Sequence, residues 1–529
     1  MRHYLERSCR RYPDAVALVL DKRNWTYAEI DRTARRWASC LLDAAGGRPR
    51  RVGVLGYRSE TSYVGVLASL FAGAAFVPLN PRFPVQRTRK MIEMAELDAL
   101  LVDSVSLPQM RELTAGLSRP PAVLTPSTSA ADALCEVIFD SKVMADAQPL
   151  STLPAISKDD IAYILFTSGS TGEPKGVPIT HANITSFLDT NLERYGIGPD
   201  DRLSQTFDQT FDLSIFDLLM AWASGARVCA MQPIQLVAPA SFIREQGITV
   251  WFSVPSLAIM MQKNNFLKPN SMPSLRWSLF CGESLPQSTA EAWQLAAPNS
   301  TVENLYGPTE LTIACSAYRW DPDRSPAECV QGLVPLGPVY EALSAELVDD
   351  RLQPVPDGEP GELCVAGPQT FPGYWRAPDL TDAQTFVHEG RAGRPSRYYR
   401  TGDLMRRLPS GNYAFLGRRD QQIKLRGYRI ELSEIEAALR LAGCMEAVVL
   451  PFPEAQHPDA LVAFVSGVVD TSALADSVRN ILPSYMVPNA IHALGRMPLN
   501  SNGKVDRHAL RQMIEDGAFA APPAPKPDR

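Results

Sequence analysis

Short apolar runs alternate with helix-length stretches through most of this chain, and that alternation restricts the fold more than any other feature. Arg51-Val52-Gly53-Val54-Leu55 has the length of a buried strand, Ser59 to Ala72 that of a helix, and Ala99 to Val102 that of a second strand. Strands apolar on both faces and separated by helices belong to parallel sheets covered on two sides. The expected fold class is therefore α/β. Between Ser118 and Ser157 the chain turns Pro-, Ser- and Ala-rich, which reads as a surface excursion linking two lobes.

At 529 residues the chain exceeds one hydrophobic core and should divide. The composition changes near Gly417, where a charge-dense segment leads into a helix with apolar Ile435, Ala438 and Leu439. Strand-like runs follow at Ala447 to Leu450 and Ala460 to Val465, making a compact α+β unit. The expected division is a large N-terminal domain with mixed parallel sheets over 1–418, a small α+β domain over 419–515, and a Pro-rich disordered tail over 516–529.

A net charge of −6 gives no bulk attraction to nucleic acid or to anionic membranes. The N-terminal run MRHYLERSCRRYPDAV lacks the apolar core of a signal peptide. The most apolar stretch, Tyr63 to Val77, contains Gly65 and Gly73, ends against Pro78, and suits a buried helix running into a strand better than a membrane span. Nine cysteines lie scattered without CxxC pairing or metal-like spacing, as expected of reduced thiols in a cytoplasm.

Four segments carry the chemistry. After the apolar run Ile161 to Phe166 comes TSGSTGEPKG, in which Thr167, Ser168, Gly169, Ser170, Thr171, Gly172 and Lys175 combine hydroxyls, open backbone N–H groups and one cation. Such a loop suits a polyphosphate. It is not a Walker A loop, because Gly176 rather than Ser or Thr follows the lysine. In NLYGPTE, Tyr306 offers a flat face to a nucleobase, Gly307-Pro308 makes a tight turn before Thr309, and Glu310 can meet a divalent cation. In YRTGDL, Asp403 lies in a Thr-Gly-Asp turn and can accept from two ribose hydroxyls. Pro409-Ser410-Gly411-Asn412 reads as a hairpin turn, and PLNSNGKVDR places Lys504 on a Gly-containing turn.

In this order and spacing the four segments resemble the adenylate-forming superfamily of acyl-CoA synthetases, luciferases and nonribosomal peptide adenylation domains. FDQTFDLSIFDLLMAW, GELCVAGPQTFPGYW and LPSYMVPNAI extend the resemblance across residues 5 to 510, towards free-standing amino-acid adenylation enzymes. The resemblance implies ATP and Mg²⁺ as cofactors, and an amino acid and a phosphopantetheinylated carrier protein supplied in trans as partners. It further implies that the small domain is mobile.

By the same resemblance, Thr167, Ser168, Ser170, Thr171 and Lys175 hold phosphates, Asn304 and Tyr306 take the adenine, Asp403 the ribose, Glu310 the Mg²⁺, and Arg418 a ribose-phosphate oxygen. Lys504 bridges the substrate carboxylate and ATP, Asp420 is the hinge, and Lys424 enters the site in a second conformation. Asp212 pairs with an α-ammonium group. Leu213, Phe216, Ser256, Leu279, Cys281, Leu305, Ile313 and Ala314 line the side-chain pocket. Apart from Asp212 and Lys504 this lining carries no formal charge, so a charged substrate side chain would be desolvated without compensation.

Leu213, Leu279 and Leu305 resemble the lining of prolyl-carrier-protein ligases, while Phe216, Ser256, Cys281 and Ala314 depart from it. The expectation is L-proline, with alanine, cysteine and serine as alternatives. An acyl- or aryl-CoA ligase is the reading that would not need Asp212. A degenerate, non-enzymatic homologue is disfavoured by intact Lys175, Glu310, Asp403 and Lys504.

Overall fold

The computed structural model describes residues 1–129, 139–169, 173–390, 395–454, 458–467, 470–500, 505–519 and 522. Its contacts divide the chain into a large unit, Met1–Pro81, Met91–Phe166 and Gly176–Gly417, and a small unit, Arg82–Lys90, Thr167–Lys175 and Arg418–Arg529.

Two sheets with largely parallel pairing dominate the large unit. One has six strands in the order Ala122–Leu124, Ala99–Val102, Arg51–Leu55, Ala75–Leu79, Ile161–Thr167, Lys175–Thr180. The other has eight, in the order Ser316–Arg319, Thr301–Tyr306, Trp277–Phe280, Val250–Ser253, Arg202–Gln205, Arg227–Ala230, Val16–Leu20, Arg23–Thr26. Only its two outermost pairings are antiparallel. A third, antiparallel sheet holds Ser344–Val348, Pro360–Ala366, Ser396–Arg407, Thr385–His388 and Tyr413–Arg418.

The strands expected at Arg51 to Leu55 and Ala99 to Val102 form, and so does the helix between them, Glu60–Phe71. Ser59 caps that helix by accepting from the Ser62 N–H, and burial extends around its whole circumference. A helix apolar all round sits inside a fold rather than on it. The helix Asp212–Ser224 is of the same kind, buried at every position but Ser224. Carboxylates are costly on such a helix, so Asp212 and Asp217 demand explanation. At Asp217 burial outweighs the nearby Arg58 charge and the Thr206 N–H, and the carboxyl pKa is raised well above its usual range.

The Pro-rich stretch after Ser118 does more than link lobes. It contributes the strand Ala122–Leu124, which pairs with Ala99–Val102 and closes one sheet edge. Three apolar residues beside an edge give too little local pattern for sequence to show this. Residues 130–138 of that stretch lie outside the described residues.

In the small unit a hairpin, Gln422–Leu425 with Tyr428–Glu431, leads into the helix Leu432–Leu441. A three-stranded sheet follows, in which Ala460–Ser466 pairs antiparallel with Glu446–Phe452 and parallel with Ala490–Leu494. Ile423, Ile430, Ile435, Ala438 and Leu439 share its core. Beyond the last helix, Arg507–Glu515, Phe519 packs edge-on against Phe464 with ring centroids 5.6 Å apart, so order extends into the segment expected to be a tail. Among the described residues, no helix is long and apolar enough to cross a membrane.

Candidate active site

Ligands of parallel sheets gather beyond the carboxyl ends of the strands. In the eight-stranded sheet the loops after Arg202–Gln205, Val250–Ser253, Trp277–Phe280 and Thr301–Tyr306 leave that edge together. They carry Asp212, Ser256, Cys281 and the run Gly307 to Ala314. Asp212 is the first residue of its helix and is 8% exposed. A helix N-terminus favours the carboxylate form. Leu213, Phe216, Leu279, Cys281, Leu305, Ile313 and Ala314 are all buried in the core of the large unit. Phe216 is locked by aromatic neighbours, with centroids 4.6 Å from Phe252 and 6.0 Å from both Phe187 and Tyr195. Ser256 stands half-buried on the helix Pro255–Lys263, and its N–H donates to the Glu283 carboxylate at 2.9 Å.

The strand Thr301–Tyr306 serves two sides. Alternation along a strand puts Leu305 on one face and Asn304 and Tyr306 on the other. The side-chain amide of Asn304 donates to the carbonyls of Val334 and Pro335 at 3.2 and 3.0 Å, which fixes its orientation. Its Oδ1 is buried with no hydrogen-bond partner among the described residues. An orphaned acceptor of this kind suits an exocyclic amine such as that of adenine.

The Tyr306 hydroxyl donates to Asp403. Burial first, and then the Asp403 charge, push the Tyr306 phenol well above its ordinary pKa, so it stays a donor. Asp403 lies within the long strand Ser396–Arg407 rather than in a free turn, beside Gly402 at φ 73°, where the register with Pro360–Ala366 is interrupted. The turn at Pro409 to Asn412 forms as expected, with the Leu408 N–H donating to the Asn412 carbonyl at 2.8 Å.

Gly307 is required by close approach, because a Cβ there would lie 2.5 Å from the Ala314 Cα. Thr309 and Glu310 form a short 3₁₀ turn, Thr309–Leu311. Glu310 is fully buried and accepts from the Tyr374 hydroxyl at 2.7 Å, while its carbonyl accepts from the Phe371 N–H at 2.9 Å. A single carboxylate is a donor set that fits Mg²⁺, which is commonly held by one or two carboxylates together with substrate phosphates.

The small unit holds the described part of the hydroxyl-rich loop. Thr167 ends its strand with a buried Oγ1 that has no partner among the described residues. The Ser168 hydroxyl donates to the Arg429 carbonyl at 2.7 Å, and the Gly169 N–H donates to Glu434 at 3.2 Å. Glu434 in turn pairs with Arg87. Gly169 is needed by the loop itself, since a Cβ would lie 2.1 Å from the Glu173 carbonyl oxygen. Lys175 opens the next strand. Arg418 clasps Asp420 through two bonds of 2.7 Å, and Lys424 stands on the hairpin opposite Arg429. Ser170, Thr171, Gly172 and Lys504 lie outside the described residues.

Two largely parallel sheets and a loop edge bearing a buried amide acceptor and buried carboxylates suit a nucleotide-dependent enzyme. The chain belongs to the AMP-binding enzyme family, which matches residues 5–375. An L-proline--[L-prolyl-carrier protein] ligase of Pseudomonas fluorescens is 33% identical over 524 residues, covering 96% of this chain and 98% of that protein. The probable non-canonical nonribosomal peptide synthetase CymA of Salinispora arenicola is 34% identical over 504 residues, covering 94% of this chain, which spans 6% of the synthetase. Among solved structures, the Vibrio cholerae adenylation domain AlmE in complex with glycyl-adenosine-5'-phosphate superposes with a TM-score of 0.84 at 28% identity, covering 97% of each chain.

Sequence reading missed the supporting residues. Tyr374 and Gln369 stand in GPQTFPGYW, a segment noticed for its resemblance but given no role, and Glu283 follows Cys281 by two positions. A polar residue inside an otherwise buried motif was the available signal.

Proposed function

We propose that this protein couples ATP to amino-acid activation, forming an aminoacyl adenylate and passing the acyl group to the phosphopantetheine thiol of a carrier protein. The observation that carries this reading is Asp212, a buried carboxylate at a helix N-terminus beside a lining without formal charge. One buried anion facing an apolar pocket suits a substrate with an ammonium group and a neutral side chain. L-Proline is the substrate we infer, with the 98% coverage of the proline ligase as support. Alanine, cysteine and serine are the competing substrates. The eight free cysteines described fit a cytoplasmic enzyme.

In the first step a substrate carboxylate oxygen attacks the α-phosphorus and pyrophosphate leaves. In the second the thiolate attacks the acyl carbonyl and AMP leaves. Asn304 would accept from the adenine amine, Tyr306 and Asp403 would fix the ribose, and Glu310 would hold Mg²⁺, which neutralises phosphate charge when bound. Thr167, Ser168 and Lys175, with Ser170 and Thr171, would receive the phosphates, and Lys504 would bridge the carboxylate and ATP. Asp420 would serve as hinge at the 418/419 boundary, with Lys424 acting in the second step.

ATP–pyrophosphate exchange across L-Pro, L- and D-Ala, L-Cys, L-Ser, Gly and aryl and fatty acids tests this reading. A single strong amino-acid signal, abolished in Asp212→Ala and Lys504→Ala, is expected. Exchange only with acids lacking an amine would replace it with a CoA or aryl ligase.

A further inference from the structure

Two consecutive β-branched residues, Thr312 and Ile313, take positive φ angles of 60° and 72°. Such residues avoid the left-handed region, and each stays there only when its surroundings hold it. Both are fully buried, and the corner they make presents Ile313 and Ala314 to the core described above.

Besides local backbone bonds, such as the Ala314 N–H to the Thr312 carbonyl at 2.9 Å, one side chain from a distant segment holds the corner. Gln369 is 0% exposed, and its amide nitrogen donates to the Ala314 carbonyl at 2.8 Å and the Leu311 carbonyl at 3.1 Å. The Thr312 hydroxyl answers by donating to the Gln369 carbonyl at 2.6 Å. The Gln369 Oε1 has no partner among the described residues, so the side chain serves the corner through its amide protons. Gln369 is itself fixed, because Asn183 donates to the carbonyls on either side of it, Pro368 at 2.7 Å and Thr370 at 3.0 Å. Asn183 belongs to the capping box that starts the helix His181–Tyr195.

We propose that Gln369 is a positioning residue that sets amino-acid specificity by holding the strained Thr312–Ile313 corner, and with it the pocket wall of Ile313 and Ala314. The inference rests on the reading of those two residues as substrate lining. Gln369 acts through the backbone. Misplacing a pocket wall by a fraction of an ångström changes fit to one side chain relative to another while leaving the nucleotide contacts alone.

Gln369→Met keeps the volume and removes the donors. Amino-acid KM is expected to rise about tenfold. The kcat/KM ratio between the best and second-best amino acid should narrow, with ATP KM within about twofold of wild type. Thr312→Val, which removes only the answering hydroxyl, should move the ratio in the same direction by less, and it decides the matter if Gln369→Met does not fold. A merely structural role would lower the melting temperature and kcat for every amino acid alike with the ratio intact, and that result overturns the proposal. Ile313→Ala separates the two readings. If it shifts the ratio while Gln369→Met and Thr312→Val do not, the positioning role fails alone; if it too leaves the ratio unchanged, the pocket assignment fails and takes the positioning role with it.

Discussion

Two candidate-site carboxylates of the large unit and two paired carboxylates of the small unit are held in different ways. In the large unit a tyrosine hydroxyl donates to each of two key acids, Tyr306 to Asp403 and Tyr374 to Glu310. In the small unit arginines do the holding, Arg87 at Glu434 and Arg418 at Asp420. A phenol orients a carboxylate without cancelling its charge, whereas a guanidinium neutralises it as it grips. Charge is what a ribose or a metal would use, and geometry is what a hinge or a packed helix needs. Elsewhere in the large unit arginines do hold acids, as at Glu362, Asp201 and Glu303, and Glu303 is the instructive case. It is fully buried one residue from Asn304, yet Arg194 takes it at 2.9 Å through two nitrogens and Arg319 at 2.9 Å through a third. By this criterion Glu303 is structural, in contrast to the roles proposed for Glu310 and Asp403.

The most forceful way to break the comparison is Asp403→Asn, which keeps an acceptor for Tyr306 but removes the charge. It should lower kcat/KM for ATP in the exchange assay by about a hundredfold. Near-normal activity would mean that the tyrosine-held acids are no different from the arginine-held ones. Glu303→Gln should behave in the opposite way. Stability measured by urea unfolding should fall by about 2 kcal/mol, a figure discounted because Arg319 is more than half exposed, while ATP KM stays nearly constant. Tyr374→Phe sharpens the same contrast. Exchange should drop about tenfold, and the Mg²⁺ concentration for half-maximal rate should rise, because Glu310 loses its orienting donor. An unchanged Mg²⁺ requirement would argue against Glu310 as the metal ligand.

The smallest effect is expected at Asp420. Burial raises its pKa, but Arg418 and the Gln422 N–H lower it more, so the net shift is below the ordinary value. An acid whose folded pKa is depressed contributes stability that is complete above its unfolded pKa and lost as pH falls through the folded one. Asp420→Asn should therefore cost less than about 1 kcal/mol at pH 7, since the carboxylate is nearly half exposed, and the cost should vanish in acid. A larger loss, or one that persists in acid, would show that the arginine clasp is not what Asp420 contributes.

Much of this architecture was legible because it is local. Runs such as Arg51 to Leu55 announce a strand wherever they occur, and a helix apolar all round announces burial. The edge strand Ala122–Leu124 was not legible, because it exists through pairing with Ala99–Val102. Nor was the setting of Asp403, where Thr-Gly-Asp reads as a turn but lies inside an interrupted strand. At the candidate site, motif residues could be named from sequence while their supports could not. Tyr374 meets Glu310 across 64 residues and Gln369 meets Ala314 across 55, separations at which no periodicity or spacing rule operates.

One consequence follows from the two-faced strand Thr301–Tyr306. Because consecutive side chains leave it in opposite directions, the proposed roles would let Leu305 change with the preferred acid while Asn304 and Tyr306 on either side stay constant. On that proposal, positions for the acid and positions for the nucleotide alternate at single-residue spacing. A library meant to redirect this enzyme should randomise alternate positions rather than contiguous blocks, and a one-residue insertion here should silence it whatever residue is inserted.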